Sequence, residues 1–522
     1  MDRRLFPGRW LAVVALMAFA ADAPAAEAPR LYAELCASCH GTDRLGVSGP
    51  ALFSESLNRI KKGEIVATIT GGRPASQMPG FSDKLSADEI AALADFVLTP
   101  LPTIPVWGME ETRASHVVHN ALETLPAAPV HSADPMNLFT VVEVGDHHVT
   151  ILDGDAFEPV WRFPSRFALH GGAKYSPDGR FVYLGSRDGW VSKYDLYGLK
   201  PVAEIRAGVN TRNIAVSSDG RYVAVGNTLP HTLTILDARD LTPLRIIPVA
   251  DGKGNGSRVS AVYTAPPRKS FIVALKDIPE VWEVHTSEDH PPVYPGMVHS
   301  FEKGMEEAVG AETGLFAVRR IVLGETLDDF FFDQSYTHLI GASRDGTKGQ
   351  VVNLTVGRKI AEVELPGMPH LGSGITFQYQ GRPVLATPHL KDGVVSIIDM
   401  TDWKTIKRIK TLGPGFFVRG HENSPYAWVD AFLSPEKDTM QVIDTRTLEI
   451  ARTLRPEPGK TAAHVEFTRN GRHALVSIWE MEGALVVYDA ATFEEVKRIP
   501  MKKPVGKYNV WNKTHYSQGT SH

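Results

Sequence analysis

The sequence predicts a small all-α domain followed by an all-β propeller of eight blades. Three observations predict it. Near the N-terminus Cys36-Ala37-Ser38-Cys39-His40 sits in helical patterning, and Thr99-Pro100-Leu101-Pro102-Thr103-Ile104-Pro105 then breaks regular structure. Beyond that, an apolar strand ending in Asp returns about every 45 residues. The 522 residues suffice for two to four domains at roughly 100–200 residues each. With 43% hydrophobic and 22% charged residues, the chain is not intrinsically disordered. A net charge of -5, evenly mixed, gives no electrostatic basis for a nucleic-acid partner, and two cysteines exclude a disulfide scaffold.

The first element is an address. Arg3, Arg4 and Arg9 precede an apolar run from Trp10 to Ala21, followed by Ala23-Pro24-Ala25-Ala26. Residues 1–26 therefore read as a secretory signal peptide cleaved near Ala23 to Ala26, which places the mature chain in the periplasm. The alternative, an uncleaved anchor, needs ~18–20 apolar residues, and the run is shorter.

Residues 28–100 read as a cytochrome c domain. Cys-x-x-Cys-His is the attachment motif of c-type haem: two thiols add across the vinyl groups of one porphyrin, and the adjacent imidazole reaches the iron. A disulfide or thioredoxin-like pair at Cys36 and Cys39 accounts for neither His40 nor the helical lead-in Leu31 to Leu35. Met78, on the loop Gly71 to Phe81, is the expected second axial ligand, since a thioether opposite an imidazole suits electron transfer. Ser86 and Glu89 form a capping box ahead of the helical stripe Ile90, Leu93, Ala94 and Val97. An iron held by His40 and Met78 has no open position, so this domain moves electrons for another site. The stretch 101–130 is expected to be a linker, extended where it is proline-rich.

Residues 131–522 carry the repeat. Its copies end at Asp153, Asp195, Asp237, Asp399, Asp444 and Asp489, with degenerate copies ending at Val284 and Leu354, close to Glu283 and Asn353. Turn signals such as Ser176-Pro177-Asp178-Gly179 and Ser217-Ser218-Asp219-Gly220 sit at matching phases. A ~40–45-residue period of four short strands is a propeller signature, and eight copies argue for eight blades over a seven-bladed binding platform. One step is longer than the rest and implies an insertion at His290 to Gly314. His147 and His148 are adjacent on a strand and point to opposite faces, so they cannot chelate one ion.

A c-type cytochrome domain joined to an eight-bladed propeller resembles the cytochrome cd1 nitrite reductase family over nearly the whole mature chain. Three stretches are most similar to its dihydro-haem d1 dehydrogenase branch: Gly145 to Asp153, Leu169 to Arg180, and Gly71-Gly72-Arg73-Pro74 running into Met78. The resemblance implies that the propeller binds haem d1 non-covalently in its central cavity, with His170 as proximal ligand of the d1 iron. It implies distal histidines at His370 (in Pro369-His370-Leu371-Gly372-Ser373-Gly374) and His389, with His464 at a further family position. Arg187, Arg212, Arg258 and Lys276, in successive blades, resemble positions that would pair with the carboxylates of the tetrapyrrole.

The activity so implied is haem d1 biosynthesis. A propionate of dihydro-haem d1 is dehydrogenated to the acrylate, and electrons leave through haem c to a periplasmic acceptor. His370, His464 and His389 are the expected catalytic group, imidazoles being suited to general-base work near neutral pH. Delivery of product through a transient complex with cytochrome cd1 nitrite reductase is a further expectation. The alternatives are a nitrite reductase, with His370 and His389 protonating nitrite, and a non-catalytic carrier of haem d1 or of electrons.

Overall fold

A computed structural model describes residues 23–47, 49–57, 60–72, 78–103, 106–169, 171–294, 311–342 and 347–516. The expected signal peptide falls almost wholly outside them. The first described helix, Ala23–Leu35, begins inside the stretch read as its exit.

The N-terminal domain is helical. The helices Ala23–Leu35, Ala37–His40, Lys62–Gly71 and Ala87–Leu98 enclose a cluster that includes Leu31, Tyr32, Ile65, Leu93 and Val97. The Ser86 hydroxyl accepts the Glu89 N–H at 3.3 Å while the Glu89 carboxylate accepts the Ser86 N–H at 2.8 Å. That reciprocal pair satisfies two of the amides a helix start leaves open. Ile90, Leu93, Ala94 and Val97 are buried on the face the periodicity marks.

Eight antiparallel sheets follow among the described residues, as the repeat count predicts. In each, the strand carrying the repeat is the third from the centre. The recurrent aspartates have one physical reason. Their carboxylates accept backbone N–H groups two or three residues on, closing the turn to the outer strand: Asp153 from Asp155 and Ala156, Asp489 from Ala491 and Thr492. Asn353 does the same for Thr355 and Val356, which is why the repeat tolerates it.

The ring closes on itself. The last strand, Pro504–Asn509, is the innermost strand of blade one and pairs with Leu138–Glu143. The inner strands of blades two to eight are Lys174–Tyr175, Asn210–Val216, Val259–Ala265, Asp329–Phe332, Ile375–Tyr379, Val418–His421 and Ala462–Phe467. The extra residues of the long step enter between the third and fourth strands of blade four, Glu280–His285 and Val318–Val322. Much of the stretch His290 to Gly314 lies outside the described residues.

The stretch read as a linker is more structured than an extended chain. It holds the helix Met109–Ala114, and Val117–Val118 pairs with Lys200–Arg206 as a fifth strand of blade two. Trp107 lies 4.8 Å over the Arg206 guanidinium and donates its indole N–H to the Arg206 carbonyl at 3.0 Å. Ala51 and Phe53 pack on Val209 and Leu229, and the Asn210 amide donates to the Glu55 carbonyl at 3.1 Å. The helical domain thus docks on blades two and three.

Candidate functional site

The helical domain encloses an apolar cavity bordered by Cys36, Cys39, His40 and Met78. Both cysteines are free. Cys36 caps the short helix Ala37–His40, so one helical turn delivers both thiols and the imidazole to the same wall. The His40 Nδ1–H donates to the Pro50 carbonyl at 2.8 Å, which leaves Nε2 as the lone-pair nitrogen. Burial lowers the imidazole pKa, so it is neutral, as a ligand must be. Gly49 lies flat against this ring, where a Cβ would come within 2.7 Å of His40 Cε1. Two thiols, an uncharged imidazole nitrogen and a thioether around an apolar slot fit a c-type haem with His40 and Met78 as axial ligands.

Part of the cavity wall comes from the propeller: His147, Ser165 and Phe167 line it too. Sequence reasoning set His147 aside. The residue adopts φ +57° on the turn before the strand His148–Asp153, and its ring lies 5.4 Å from Phe167.

The second site is the hub. Each blade supplies an ionisable or polar group on or beside its inner strand: Lys507 and Tyr508, Lys174, Arg212, Tyr263, Asp329, His370, Arg419 and His464 in blade order. His370 precedes the short turn Leu371–Ser373. Its Nδ1–H donates to the Phe416 carbonyl at 2.7 Å, and its Nε2 stands 4.0 Å from the Asp329 carboxylate. That carboxylate also accepts the Tyr263 O–H at 3.0 Å and the Gly372 N–H at 2.8 Å. Burial outweighs Asp329 and lowers the His370 pKa.

His464 is 1% exposed and sits at a register shift in its strand, with φ +54°. Its ring lies between Phe417 (4.6 Å) and Tyr508 (5.3 Å). Its Nδ1 is 3.4 Å from the Lys507 ammonium, which donates to the His464 carbonyl and to the Ser477 hydroxyl (2.9 Å). The His464 Nε2 is buried without a hydrogen-bond partner among the described residues. Burial, reinforced by Lys507 and Arg419, holds this imidazole well below its ordinary pKa.

Cations crowd the same space. Arg419 is 3% exposed and donates to the carbonyls of Val418 (2.7 Å) and Ser373 (3.3 Å). Burial pulls the Lys174 ammonium down to about 8, with Arg419 adding to the shift. Lys513, on the C-terminal helix Val510–His515, is held well below its usual value by burial and by Arg419. Positive groups under mutual strain in a low-dielectric hub are stabilised by an anionic occupant.

The expected residues do not all gather there. His370, His464 and Arg212 do: the charge of Arg212 acts on both His370 and Tyr263, and its Nε donates to the Ser260 carbonyl at 2.6 Å. His389 does not. It is fully buried, with Nδ1–H donating to the Pro366 carbonyl at 2.6 Å and Nε2 accepting from the Ser396 hydroxyl at 2.9 Å. Both its nitrogens are engaged, and an isolated bridge to Pro369 ties it to the segment just before His370. Arg258 is a surface residue, with a side chain 45% exposed and its guanidinium paired with Asp277. Lys276 pairs with Asp328 at 2.6 Å. These two already have carboxylate partners of their own. Arg187 donates its amide to the Ala168 carbonyl at 3.1 Å, and its carbonyl accepts the Thr211 N–H, from the inner strand of blade three, at 3.1 Å.

His170 lies outside the described residues. The two glycines after it show why the chain runs so close to the hub. Both adopt left-handed backbone, and a Cβ on Gly172 would come within 3.0 Å of the Tyr508 ring. Lys174, Tyr263, Asp329, Arg419 and Lys513 were missed by sequence reasoning. Their common signal, a polar residue on an innermost strand or on the closing helix, is readable only once the strand phase is known.

A covalently tethered cytochrome docked on a ring with a cationic, imidazole-bearing hub defines a two-tetrapyrrole class of protein. Residues 133–301 and 311–513 match the cytochrome D1 heme domain family, and residues 23–97 match the cytochrome C oxidase cbb3-type subunit III family. The chain belongs to the cytochrome D1 heme domain family, in its dihydro-haem d1 dehydrogenase branch. It is 53% identical to the dihydro-heme d1 dehydrogenase of Pseudomonas aeruginosa, over 98% of this chain and 99% of that one. A solved structure of dihydro-heme d1 dehydrogenase NirN in complex with DHE superposes with a TM-score of 0.85, covering 94% of this chain and all of that one. The nitrite reductase of Stutzerimonas stutzeri is 26% identical over 92% of each chain.

Proposed function

We propose that this protein is an oxidoreductase of haem d1 biosynthesis, converting a propionate side chain of dihydro-haem d1 to the acrylate. The observation that carries the reading is the hub itself: two unprotonated imidazoles set among buried cations, in a chain 53% identical to a dihydro-heme d1 dehydrogenase over nearly its full length.

The reaction removes one hydrogen from each of two adjacent carbons and forms a C=C bond, so two protons and two electrons leave the substrate. Lys174, Arg419 and Lys513 receive its carboxylates, and Arg212 supports them from blade three. His170 is the proposed axial ligand of the substrate iron. The imidazole of His464, buried and held well below its ordinary pKa, is the proposed base for the weakly acidic C–H. His370 presents a second basic nitrogen because its Nδ1–H is committed to the Phe416 carbonyl. Asp329, 4.0 Å away, stabilises that imidazole if it is protonated. Cys36 and Cys39 would tether a c-type haem and His40 and Met78 would ligate it, and the bound group would supply a one-electron acceptor. A periplasmic acceptor takes the electrons onward, and cytochrome cd1 nitrite reductase is the proposed recipient of the product. Among the described residues no helix is long and apolar enough to cross a membrane.

The test is anaerobic incubation of the purified holoprotein with dihydro-haem d1 and an oxidant. The expected product is lighter by two hydrogens and carries an acrylate. Steady-state nitrite turnover without that conversion would overturn the reading in favour of a reductase. The engaged nitrogens of His389 count against a reductase in which His370 and His389 act together.

A further inference from the structure

We propose that Asp430 is a positioning residue that fixes His370 and His464 relative to one another; the proposal rests on the catalytic reading above. Asp430 ends the second strand of blade seven, Ser424–Asp430, and is 1% exposed. Its carboxylate accepts the N–H groups of Phe416 at 2.7 Å and Phe417 at 3.2 Å. It also accepts those of Phe432 at 3.4 Å and His464 at 3.5 Å.

The dipeptide Phe416–Phe417 is the link. Phe416 receives the His370 Nδ1–H on its carbonyl and packs its ring 4.3 Å from that imidazole. Phe417 packs 4.6 Å from the His464 ring. One carboxylate in blade seven therefore holds the mount of the blade-six histidine and reaches the backbone of the blade-eight histidine. The His464 backbone needs such support, because its positive φ is a conformation that non-glycine residues avoid. Arg419 and Lys507 are the cations that face Asp430, and His464 is the imidazole beside it. Burial pushes the carboxyl up to about 6, so at neutral pH it is ionised and accepts charge-assisted hydrogen bonds.

Asp430→Asn keeps the shape and replaces one acceptor oxygen by a donor, which opposes the backbone N–H groups. In hydrogen–deuterium exchange of the substrate-free holoprotein, peptides spanning 414–418 and 462–466 are expected to lose about tenfold in protection, with the other blades unchanged. With dihydro-haem d1, kcat is expected to fall roughly 10- to 100-fold, the scale of a misplaced catalytic group. Substrate Kd is expected to stay within a factor of about three, because the variant keeps Lys174, Arg419 and Lys513 as the cations that hold the carboxylates.

Wild-type protection of either peptide overturns the proposal. So does an unchanged kcat, or a loss of kcat matched by equal loss of binding and ring-wide exchange, which marks a merely structural residue. If the wild-type protein itself fails to turn over, the catalytic reading falls, and the exchange data alone decide whether Asp430 ties the two segments together. Should the Asn variant not fold, Asp430→Ser, with room for a bridging water, is read the same way.

Discussion

The haem c cavity takes both thiols and its imidazole from five consecutive residues, Cys36 to His40, whereas the hub takes its groups from all eight blades, between Lys174 and Lys513. In the first, spacing along one helical turn is the chemistry, so any fold that keeps the turn keeps the site. In the second, no two neighbours in space need be neighbours in sequence. The closing strand Pro504–Asn509 pairs with Leu138–Glu143 and puts Lys507 and Tyr508 beside His464 of blade eight. A local site fails or survives as a unit, whereas a distributed one can be dissected group by group.

The sharpest break is therefore at the motif. In Cys36→Ser/Cys39→Ser the covalent haem is lost, and with it the expected route for electrons. Conversion of dihydro-haem d1 should stop, while the hub still binds the substrate as judged by absorption titration. Retained multiple turnover in a protein lacking covalent haem would separate the two sites functionally and refute the relay.

Within the hub, His464→Ala is expected to lower kcat by about 10²- to 10⁴-fold, the usual contribution of a positioned base. Binding should change little, since His464 is not among the cations. His370→Ala should follow the same pattern. A variant that loses binding in step with kcat would instead make that histidine a ligand or a packing residue.

The third expectation concerns acid. Burial holds His370, His389, His421 and His464 below the ordinary imidazole value near 6.5 in the folded chain. Their folded pKa values being depressed, the unfolded chain takes up the protons first. Stability therefore rises with pH through the window below about 6.5 and is lost as the pH falls through it. Thermal melts between pH 7.5 and 5.5 should show Tm falling, and the acid limb of kcat/KM should lie below 6.5. A limb at or above 6.5 would mean that the working imidazole is solvent-exposed.

The same contrast explains what was legible in the sequence. The haem motif, the Ser86 capping box and the blade repeat are each written within a few residues, and the Asp of the repeat marks its own turn. His370 and His464 drew attention as histidines, and the fold places both on or beside inner strands. Arg258 and Lys276 were singled out by similar phase in successive blades, and each is paired with a carboxylate. Phase along a blade gives height and strand, but whether a cation points inward depends on the carboxylates next to it, Asp277 and Asp328 here. Lys174 and Arg419 were missed for the converse reason: nothing local distinguishes an innermost-strand cation from one at the rim.

That difference gives the finest test. Arg419→Ala removes a guanidinium buried in the hub, beside Lys174, Lys513 and both imidazoles. A charged hydrogen bond to a substrate carboxylate contributes about 1.5–3 kcal/mol, so its loss should weaken dihydro-haem d1 binding by roughly 10- to 150-fold. Arg258→Ala removes a guanidinium paired with Asp277, and an exposed pair of this kind contributes so little that binding should change by less than about twofold. Titrating both variants with the same substrate measures position at constant chemistry, since each change deletes one arginine from one propeller blade. Equal effects would mean that the tetrapyrrole reaches past the hub to the rim of blade four, and the cation assignment would have to be redrawn around Arg258 and Lys276.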